Sequence, residues 1–364
     1  MKEIIVFSIL RDLKEIKMIN LYNFSLNKLE DYLLKIGEKK FRATQLFKWI
    51  YEKRVTNFDE MSDISKNFRE YLKENFYLKK PSIFLRQDSK DGTVKLLLEL
   101  EDGNKIETVL MRYNYGNVAC VTSEVGCNMG CAFCASGLLK KKRGLEVSEL
   151  IGQILVLDDL LKEEGKDERI THVVVMGTGE PFDNYDNVMD FIRILNHPHG
   201  LAIGARHITV STCGIVPKIY EYAKEGLQIN LAISLHAPND EIRHKLMPIS
   251  RTYPLKELME AVKYYEEYSG RRVTFEYILL SGINDRKEDA LELASLIKGM
   301  LAYVNLIPYN PVNEMKYSRS SEKSVHEFMD TLMKKGVNVT IRKEFGTDID
   351  AACGQLRAKN EKRV

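Results

Sequence analysis

The 364 residues contain no apolar run close to the roughly 18 that a membrane-crossing helix requires, which excludes a helical membrane-spanning protein. A secretion signal is missing too: the apolar opening Ile4-Ile5-Val6-Phe7 is broken by Arg11 and Asp12 and offers no small-residue cleavage site. A soluble, cytoplasmic protein is the expectation. Charge of one sign is not in excess, because 54 cations against 52 anions leave a net +2, which neither demands nor forbids a nucleic-acid partner. Six cysteines are too few to staple a chain of this size into a disulfide scaffold. Neither internal repeats nor low-complexity segments interrupt the sequence.

What is present is ordinary globular material, 44% hydrophobic and 29% charged. That composition buries a sizeable core, and the length suggests about two domains, or one core with an appendage. Cations gather at Lys140-Lys141-Lys142-Arg143, at Arg271-Arg272 and over residues 359–363. Such runs can neutralise phosphates, but more often they are solvated faces.

Residues 1–82 read as a helical, charged block closed by Pro81. Leu26, Leu29, Leu33, Leu34 and Ile36, then Phe41, Leu46, Phe47, Ile50 and Tyr51, recur there near helical spacing. Over 83–115 short strands take over, with Asp91-Gly92 and Asp102-Gly103 as hairpin turns. Over 116–345 strand-like and helix-like segments alternate. Strands are predicted at 118–122, 172–176, 207–211, 229–235, 273–280, 303–308 and 337–342. Helices are predicted at 147–161 and 285–297, with Ser148 and Asp285 as capping residues. This rhythm predicts a parallel β/α sheet, open or curved into a partial barrel, with its chemistry at the carboxyl ends of the strands. Residues 346–364 are left as a C-terminal segment with a basic tail.

The cysteines are unevenly placed: Cys120, Cys127, Cys131 and Cys134 fall together, while Cys213 and Cys353 stand alone. Cys127-Asn128-Met129-Gly130-Cys131-Ala132-Phe133-Cys134 is a CxxxCxxC run directly after the first predicted strand of the alternating region. Three thiolates at this spacing wrap one corner of a metal centre. A structural zinc site wants four protein ligands, usually as two separated pairs, and here the fourth is missing. A [4Fe–4S] cluster held by three cysteines leaves one iron open to chelate a small molecule. An incomplete zinc site or three core cysteines are the bland alternatives.

The run resembles that of the radical S-adenosylmethionine superfamily, whose open iron binds the amino and carboxylate groups of S-adenosylmethionine. Four further stretches narrow the likeness. They are Val174-Val175-Met176-Gly177-Thr178-Gly179-Glu180-Pro181, Ser234-Leu235-His236-Ala237-Pro238-Asn239-Asp240, Asn305-Leu306-Ile307-Pro308-Tyr309-Asn310-Pro311 and Asp348-Ile349-Asp350-Ala351-Ala352-Cys353-Gly354-Gln355-Leu356. Together they are similar to the bacterial dual-specificity RNA methyltransferases that methylate C2 of adenine in 23S rRNA (peptidyl-transferase region) and in tRNA (anticodon loop). The likeness spans residues 20–357. It implies an α/β fold: a radical-SAM partial (β/α)6 barrel over 116–345, an N-terminal helical accessory domain over 1–82 and a β-hairpin extension over 83–115. Similar family members begin near Met18, so residues 1–17 are expected to be an upstream extension that activity does not need.

The chemistry explains why such residues are needed. C2 of adenine is electron-poor and has no usefully acidic proton, so it cannot attack a sulfonium methyl group as an ordinary nucleophile. A radical route avoids the problem. The resemblance implies that Cys353 is methylated by a first S-adenosylmethionine. A second, cleaved at the cluster, gives the radical that takes hydrogen from the S-methyl group, and the resulting carbon radical adds to C2. Glu107 is implied as the base that removes the C2 proton, and Cys120 as the resolving thiol. Its attack leaves a transient Cys120–Cys353 disulfide that an outside reductant reopens. Cluster ligation is implied at Cys127, Cys131 and Cys134, and S-adenosylmethionine contact at Gly179, Glu180, Ser211, Ser234, Leu235, His236 and Asn310. Taken alone, Glu107 reads as a solvent-facing strand carboxylate, Cys120 as a buried strand cysteine and His236 as a satisfied core histidine. Cys353 alone reads as a C-terminal helix thiol near Asp348 and Asp350.

Two positions depart from the family's pattern: Thr178 stands where methionine is common, and Cys213 where serine is common. The adenine-C8 methyltransferases that confer ribosomal antibiotic resistance share the cysteine motif and both catalytic cysteines. Pro181 and Pro308 favour C2, since the C8 relatives carry Ala and Arg there. A non-catalytic, metal-bearing RNA-binding protein is the distant alternative. The implied partners are 23S rRNA and tRNA, a flavodoxin-like electron donor and a disulfide reductant, with no membrane and a monomeric state. Lys39, Lys40, Arg42 and Lys48 are expected to give the N-terminal block a basic, RNA-contacting face.

Overall fold

The computed structural model describes residues 18–165, 167–312, 314–350 and Leu356. Among these residues, ten strands join one sheet in strictly sequential order: β1 Ser82–Asp88, β2 Val94–Glu99, β3 Lys105–Tyr113, β4 Gly116–Cys120, β5 Ile170–Val175, β6 Ile208–Thr212, β7 Asn230–Ser234, β8 Val273–Leu279, β9 Ala302–Pro308 and β10 Val339–Ile341. The first four pair antiparallel through short turns, where Gly92 and Gly103 supply the positive φ. From β4 onward every pairing is parallel. Parallel neighbours need long crossovers, and helices supply them at Val147–Glu163, Tyr185–Asn196, Val216–Ala223, Leu255–Ser269, Lys287–Leu296 and Glu322–Lys334.

Sequential order means that the strand sequence never reverses, which is the winding of a barrel and not of a doubly wound sheet. The barrel stays open, because β1 and β10 each pair on one side among the described residues. The curl is nevertheless strong. The rings of Tyr113 on β3 and Phe345 just past β10 meet at 4.6 Å between centroids, although their strands lie at opposite ends of the curved region. The expected partial (β/α)6 barrel is therefore the observed architecture, and the hairpin extension continues the same sheet.

Strand alternation sorts the side chains. Val173, Val175, Val210, Leu231, Ile233, Phe275, Tyr277, Val304 and Leu306 are buried in one core with Leu150, Ile154, Leu157 and Phe328 of the helices. Each such apolar side chain contributes about 1.5–3 kcal/mol by leaving water. The intervening positions face the barrel interior, so that face is free to carry polar chemistry.

The N-terminal block forms helices Leu26–Lys35, Phe41–Phe47 and Lys66–Asn75, the second prolonged by a π-helical turn at Lys48–Glu52. Leu29, Leu33, Leu46, Phe47, Ile50, Phe68 and Leu72 are buried and join the barrel's own core. Leu34 and Ile36 do not, at 47% and 39% exposed, because they lie off the Leu29–Leu33 stripe. Phe41 is also half exposed. Arg54 pairs with Asp158 of the first crossover helix at 2.5 Å, tying the block to the barrel.

The seven predicted strands of the alternating region all exist, with no end moved by more than two residues. The predicted caps are corrected. Glu149 accepts the Glu146 amide at 2.8 Å, so Glu146 and not Ser148 opens that helix. Asp285 instead accepts Gly282 N and Ser320 Oγ, and Asp289 takes the Arg286 amide at the start of the next helix. No helix among the described residues is long and apolar enough to cross a membrane.

Candidate active site

β4 ends at Cys120 and the chain then leaves the sheet through the cysteine loop. Gly126 turns it at φ +86°, where a Cβ would lie 2.2 Å from the Lys140 carbonyl oxygen, so no other residue fits. The Cys127 amide donates to Leu139 O at 2.9 Å, Ala132 N to Leu246 O at 2.9 Å and Cys134 N to Cys131 O at 3.1 Å. These bonds fold the loop over the carboxyl ends of the strands. Cys127, Cys131 and Cys134 all line one cavity of about 400 Å³. Burial pushes the Cys127 thiol up to about 12, and Cys131 higher still, with the neighbouring thiols adding to both shifts.

Among the described residues no three His, Cys, Asp or Glu groups stand close enough together to hold an ion as they are. The donor chemistry nonetheless fits an iron–sulfur cluster. It is three soft sulfurs on one short loop, backed by Met129, Phe133, Met247 and Ile278, with the remainder of the cavity open beside them. A cationic cluster is what would draw the protons off such thiols.

The predicted S-adenosylmethionine residues end successive strands around the same cavity. Gly179, Glu180, Ser211, Ser234, His236 and Asn310 line it; Leu235 does not, being fully buried with its carbonyl taken by Arg243 Nε at 3.3 Å. Gly179 has φ +113°, and a Cβ there would meet Glu124 and Ser123 side chains at 2.7 Å. Ser211 and Ser234 Oγ atoms are 3.3 Å apart across β6 and β7. His236 takes φ +58°, strained for a residue with a side chain. Its Nδ1 accepts the Ile278 amide at 3.0 Å, its ring meets Phe133 edge-on at 4.9 Å, and burial with Arg243 nearby holds its pKa down to about 3. The satisfied-histidine reading and the cavity-lining one are both true of it.

Cys120 also lines the cavity. The register aligns Lys95, Val109 and Cys120 in one row across β2, β3 and β4. Glu107 lies two residues along β3 on the same face and is not among the residues that line the cavity. The solvent-facing reading of Glu107 is overturned: it is buried and paired with Lys95 at 2.9 Å. Cys353, the 1–17 extension and the 359–363 tail lie outside the described residues.

Residues 346–350, upstream of Cys353, are described, and they dock on the β1–β2 hairpin. Gly346 N donates to Asp91 Oδ2 at 2.9 Å, Lys90 N to Asp348 Oδ2 at 3.2 Å and Asp350 N to Gln87 Oε1 at 3.2 Å. Sequence reasoning missed this, and it missed Glu276. That carboxyl lines the cavity, accepts Asn305 Nδ2 at 2.9 Å, and is pushed up by burial with Arg342 opposing. The available signal was a single charged residue at an inward-facing position of a strand otherwise uncharged over residues 273–279.

The basic run after the cysteine loop is mostly consumed internally. Lys141 pairs with Glu124 at 2.5 Å and Asp183 at 2.6 Å, and Arg143 with Asp102 and Glu149 at 2.7 Å each. Lys39, Lys40 and Lys48 stay exposed on the N-terminal block, while Arg42 is half-buried and lies 3.7 Å from Glu38.

Residues 19–78 match the family described as ribosomal RNA large subunit methyltransferase N-terminal domain, and residues 122–294 match the radical SAM superfamily. The chain is 58% identical over 347 residues to a probable dual-specificity RNA methyltransferase RlmN of Enterococcus faecalis, covering 94% of this chain and 97% of the relative. A probable dual-specificity RNA methyltransferase RlmN of Listeria monocytogenes is 56% identical over 348 residues, 95% of each chain. The crystal structure of a radical SAM methyltransferase from Sphaerobacter thermophilus superposes with a TM-score of 0.85 at 41% identity, covering 93% of this chain and 98% of that one. With the cysteine loop, the strand-end residues and the open barrel agreeing throughout, the chain belongs to the RlmN family of dual-specificity RNA methyltransferases, within the radical SAM superfamily.

Proposed function

We propose that this chain methylates C2 of adenine in 23S rRNA and in tRNA, using S-adenosylmethionine twice and a methylated cysteine as the carrier. One observation carries the reading: in a chain of this family, Cys120, the three loop cysteines and the strand-end residues Gly179, Ser211, Ser234 and Asn310 open onto the same cavity. Radical SAM membership brings S-adenosylmethionine and a [4Fe–4S] cluster. When bound, they supply the methyl carbon and the one-electron chemistry that C2 requires.

The chain's own residues divide the remaining work. Cys127, Cys131 and Cys134 ligate the cluster, and Gly179, Glu180, Ser211, Ser234, His236 and Asn310 seat S-adenosylmethionine, with Leu235 buried behind Ser234 and His236. Cys353 carries the carbon to RNA. Glu107 then takes the C2 proton, and the unpaired electron left by radical addition would pass to the cluster, so that a closed-shell adduct remains. Cys120 sulfur attacks Cys353 sulfur: a sulfur–sulfur bond forms as the carbon–sulfur bond breaks, and the transferred carbon gains a proton to become methyl. A disulfide reductant restores the two thiols and a flavodoxin-like protein supplies electrons. The work is shared among an RNA-contacting block over 1–82, a hairpin over 83–115, the barrel over 116–345 and the carrier segment over 346–364. The enzyme acts as a cytoplasmic monomer.

The test is Cys120→Ala. It is expected to accumulate protein covalently linked to RNA, seen as an RNase-sensitive shift on a denaturing gel, whereas Cys353→Ala forms no link. Normal turnover by Cys120→Ala would overturn the two-thiol scheme. Chromatographic retention of the methyladenosines from digested rRNA, with mass spectrometry to detect them, separates C2 from C8 methylation.

A further inference from the structure

The buried ion pair between Lys95 and Glu107 has no part in the roles just given. The Lys95 side chain is wholly unexposed and its Nζ lies 2.9 Å from Glu107 Oε2. The sheet dictates this meeting. Lys95 stands opposite Val109 in the β2–β3 register, so Glu107, two residues back along β3 on the same face, is its diagonal neighbour. Across the next pairing Val109 stands opposite Cys120. The cation therefore sits on the inner face in the row of Cys120.

The same ammonium donates to the main-chain carbonyl of Asp350 at 2.6 Å. Asp350 is the third residue before Cys353, so Lys95 spans from the strand of Glu107 to the root of the carrier segment. The other contacts that dock this segment, from Gln87, Ser89, Lys90 and Asp91, lie along the exposed hairpin end. The Lys95 contact is made by a wholly buried side chain. A buried lysine is expensive unless its charge and its N–H groups are matched, and here a carboxylate and a carbonyl from two separate pieces of chain match them.

We propose that Lys95 is a positioning residue, whose ammonium holds the Glu107 carboxylate and the Asp350 root of the carrier segment at a fixed spacing, so that base and carrier address the same adenine carbon. This rests on the reading of Glu107 as base and Cys353 as carrier. The strap acts on release of RNA and not on the first methyl transfer, which involves neither Glu107 nor RNA.

The experiment uses reconstituted holoenzyme and a tRNA substrate under single-turnover conditions. Intact-protein mass follows methylation of Cys353, and a denaturing gel follows the RNA-linked protein and its decay. In Lys95→Met, which keeps the length of the side chain without its charge, methylation of Cys353 is expected at close to the native rate. The linked species is expected to decay at least about tenfold more slowly, as it does in Glu107→Gln. Lys95→Arg, which keeps a cation able to reach both oxygens, is expected to restore decay relative to Lys95→Met.

Native release by Lys95→Met beside a stalled Glu107→Gln would overturn the strap alone. Equal stalling in folded Lys95→Met and Lys95→Arg would also count against it. Native release by Glu107→Gln would instead remove the underlying reading of the base. Should Lys95→Met not fold, the double variant Lys95→Met with Glu107→Gln leaves no charge unpaired and is compared with Glu107→Gln alone. Equal stalling supports the strap, and an added loss of Cys353 methylation overturns it by showing a general structural role.

Discussion

The Cys213 amide donates to Glu180 Oε2 at 2.7 Å, while the Phe182 amide donates to Oε1 of the same carboxylate at 3.0 Å. One buried side chain thus pins the carboxyl ends of β5 and β6 together. Burial pushes this carboxyl up, and the amide hydrogen bonds pull it back. Glu180→Ala is expected to strand the two buried amides and lose about 1–3 kcal/mol for each, with Glu180→Gln milder because it keeps one acceptor. Thermal unfolding of the two variants checks the order; equal midpoints would refute the post-like role.

Gly179→Ala tests the close approach at the end of β5. The added methyl group enters the space of Glu124 and Ser123 at 2.7 Å, in a backbone at φ +113°. We expect a stability loss of about 1–3 kcal/mol and at least tenfold weaker binding of S-adenosylmethionine by calorimetry. Native affinity would show that the loop has room to shift.

Docking of the carrier segment on the hairpin is expected to weaken in acid. Burial alone would raise the Asp91 carboxyl, but amide hydrogens from Gly346 and Thr93 and hydroxyls of Thr93 and Ser89 outweigh it and hold it down to about 2. Asp348 is likewise lowered, by the Ser89 hydroxyl and the Lys90 amide. A carboxylate held below its unfolded value stabilises the fold above that value, and the gain is lost as pH falls through the folded one. The window therefore runs from about pH 4 down to about pH 2. Protection of the Gly346 and Asp350 amides from hydrogen exchange should drop across that window before the barrel strands open. Protection that is flat with pH would exclude Asp91 as the anchor.

Cys131→Ala is expected to abolish the iron-dependent absorbance near 400 nm (roughly, for thiolate-bound clusters) and all radical chemistry, because three sulfurs are the minimum set. Cys213→Ser is expected to retain both. Cys213 is buried, burial keeps its thiol well up, and both its amide and its thiol hydrogen-bond the Glu180 carboxylate, a bond that a serine hydroxyl can also make. Iron retained without Cys131, or lost without Cys213, would reassign the ligands.

Neutralising Lys39, Lys40 and Lys48 to Gln is expected to weaken RNA binding and to flatten the dependence of log K on log salt by up to about 2, if each meets one phosphate. Cleavage of S-adenosylmethionine without RNA should not change. An unchanged salt slope would leave these lysines as a solvated face.

Much of this was legible in the amino-acid order. Apolar segments over 116–345 recur with a strand–helix rhythm, so the parallel sheet follows from period and connection length alone. The CxxxCxxC spacing and the glycines that let chain approach chain are local properties, and local properties survive in sequence. The residues at the strand ends were placed on one rim because parallel winding puts every carboxyl end on the same side.

What only the tertiary structure decided are relationships between distant segments. Glu107 reads alone as an exposed strand carboxylate, and it becomes a buried ion partner only because register sets Lys95 diagonal to it. Lys141 and Arg143 belong to a run that reads as able to meet phosphates but more often as a solvated face, yet carboxylates from four other places pair with them. Asp348 and Asp350 find the hairpin across more than 250 residues of chain. Their partners are single polar atoms brought within hydrogen-bond reach by the curl of the whole sheet, and no periodicity records where a curled sheet brings its two ends.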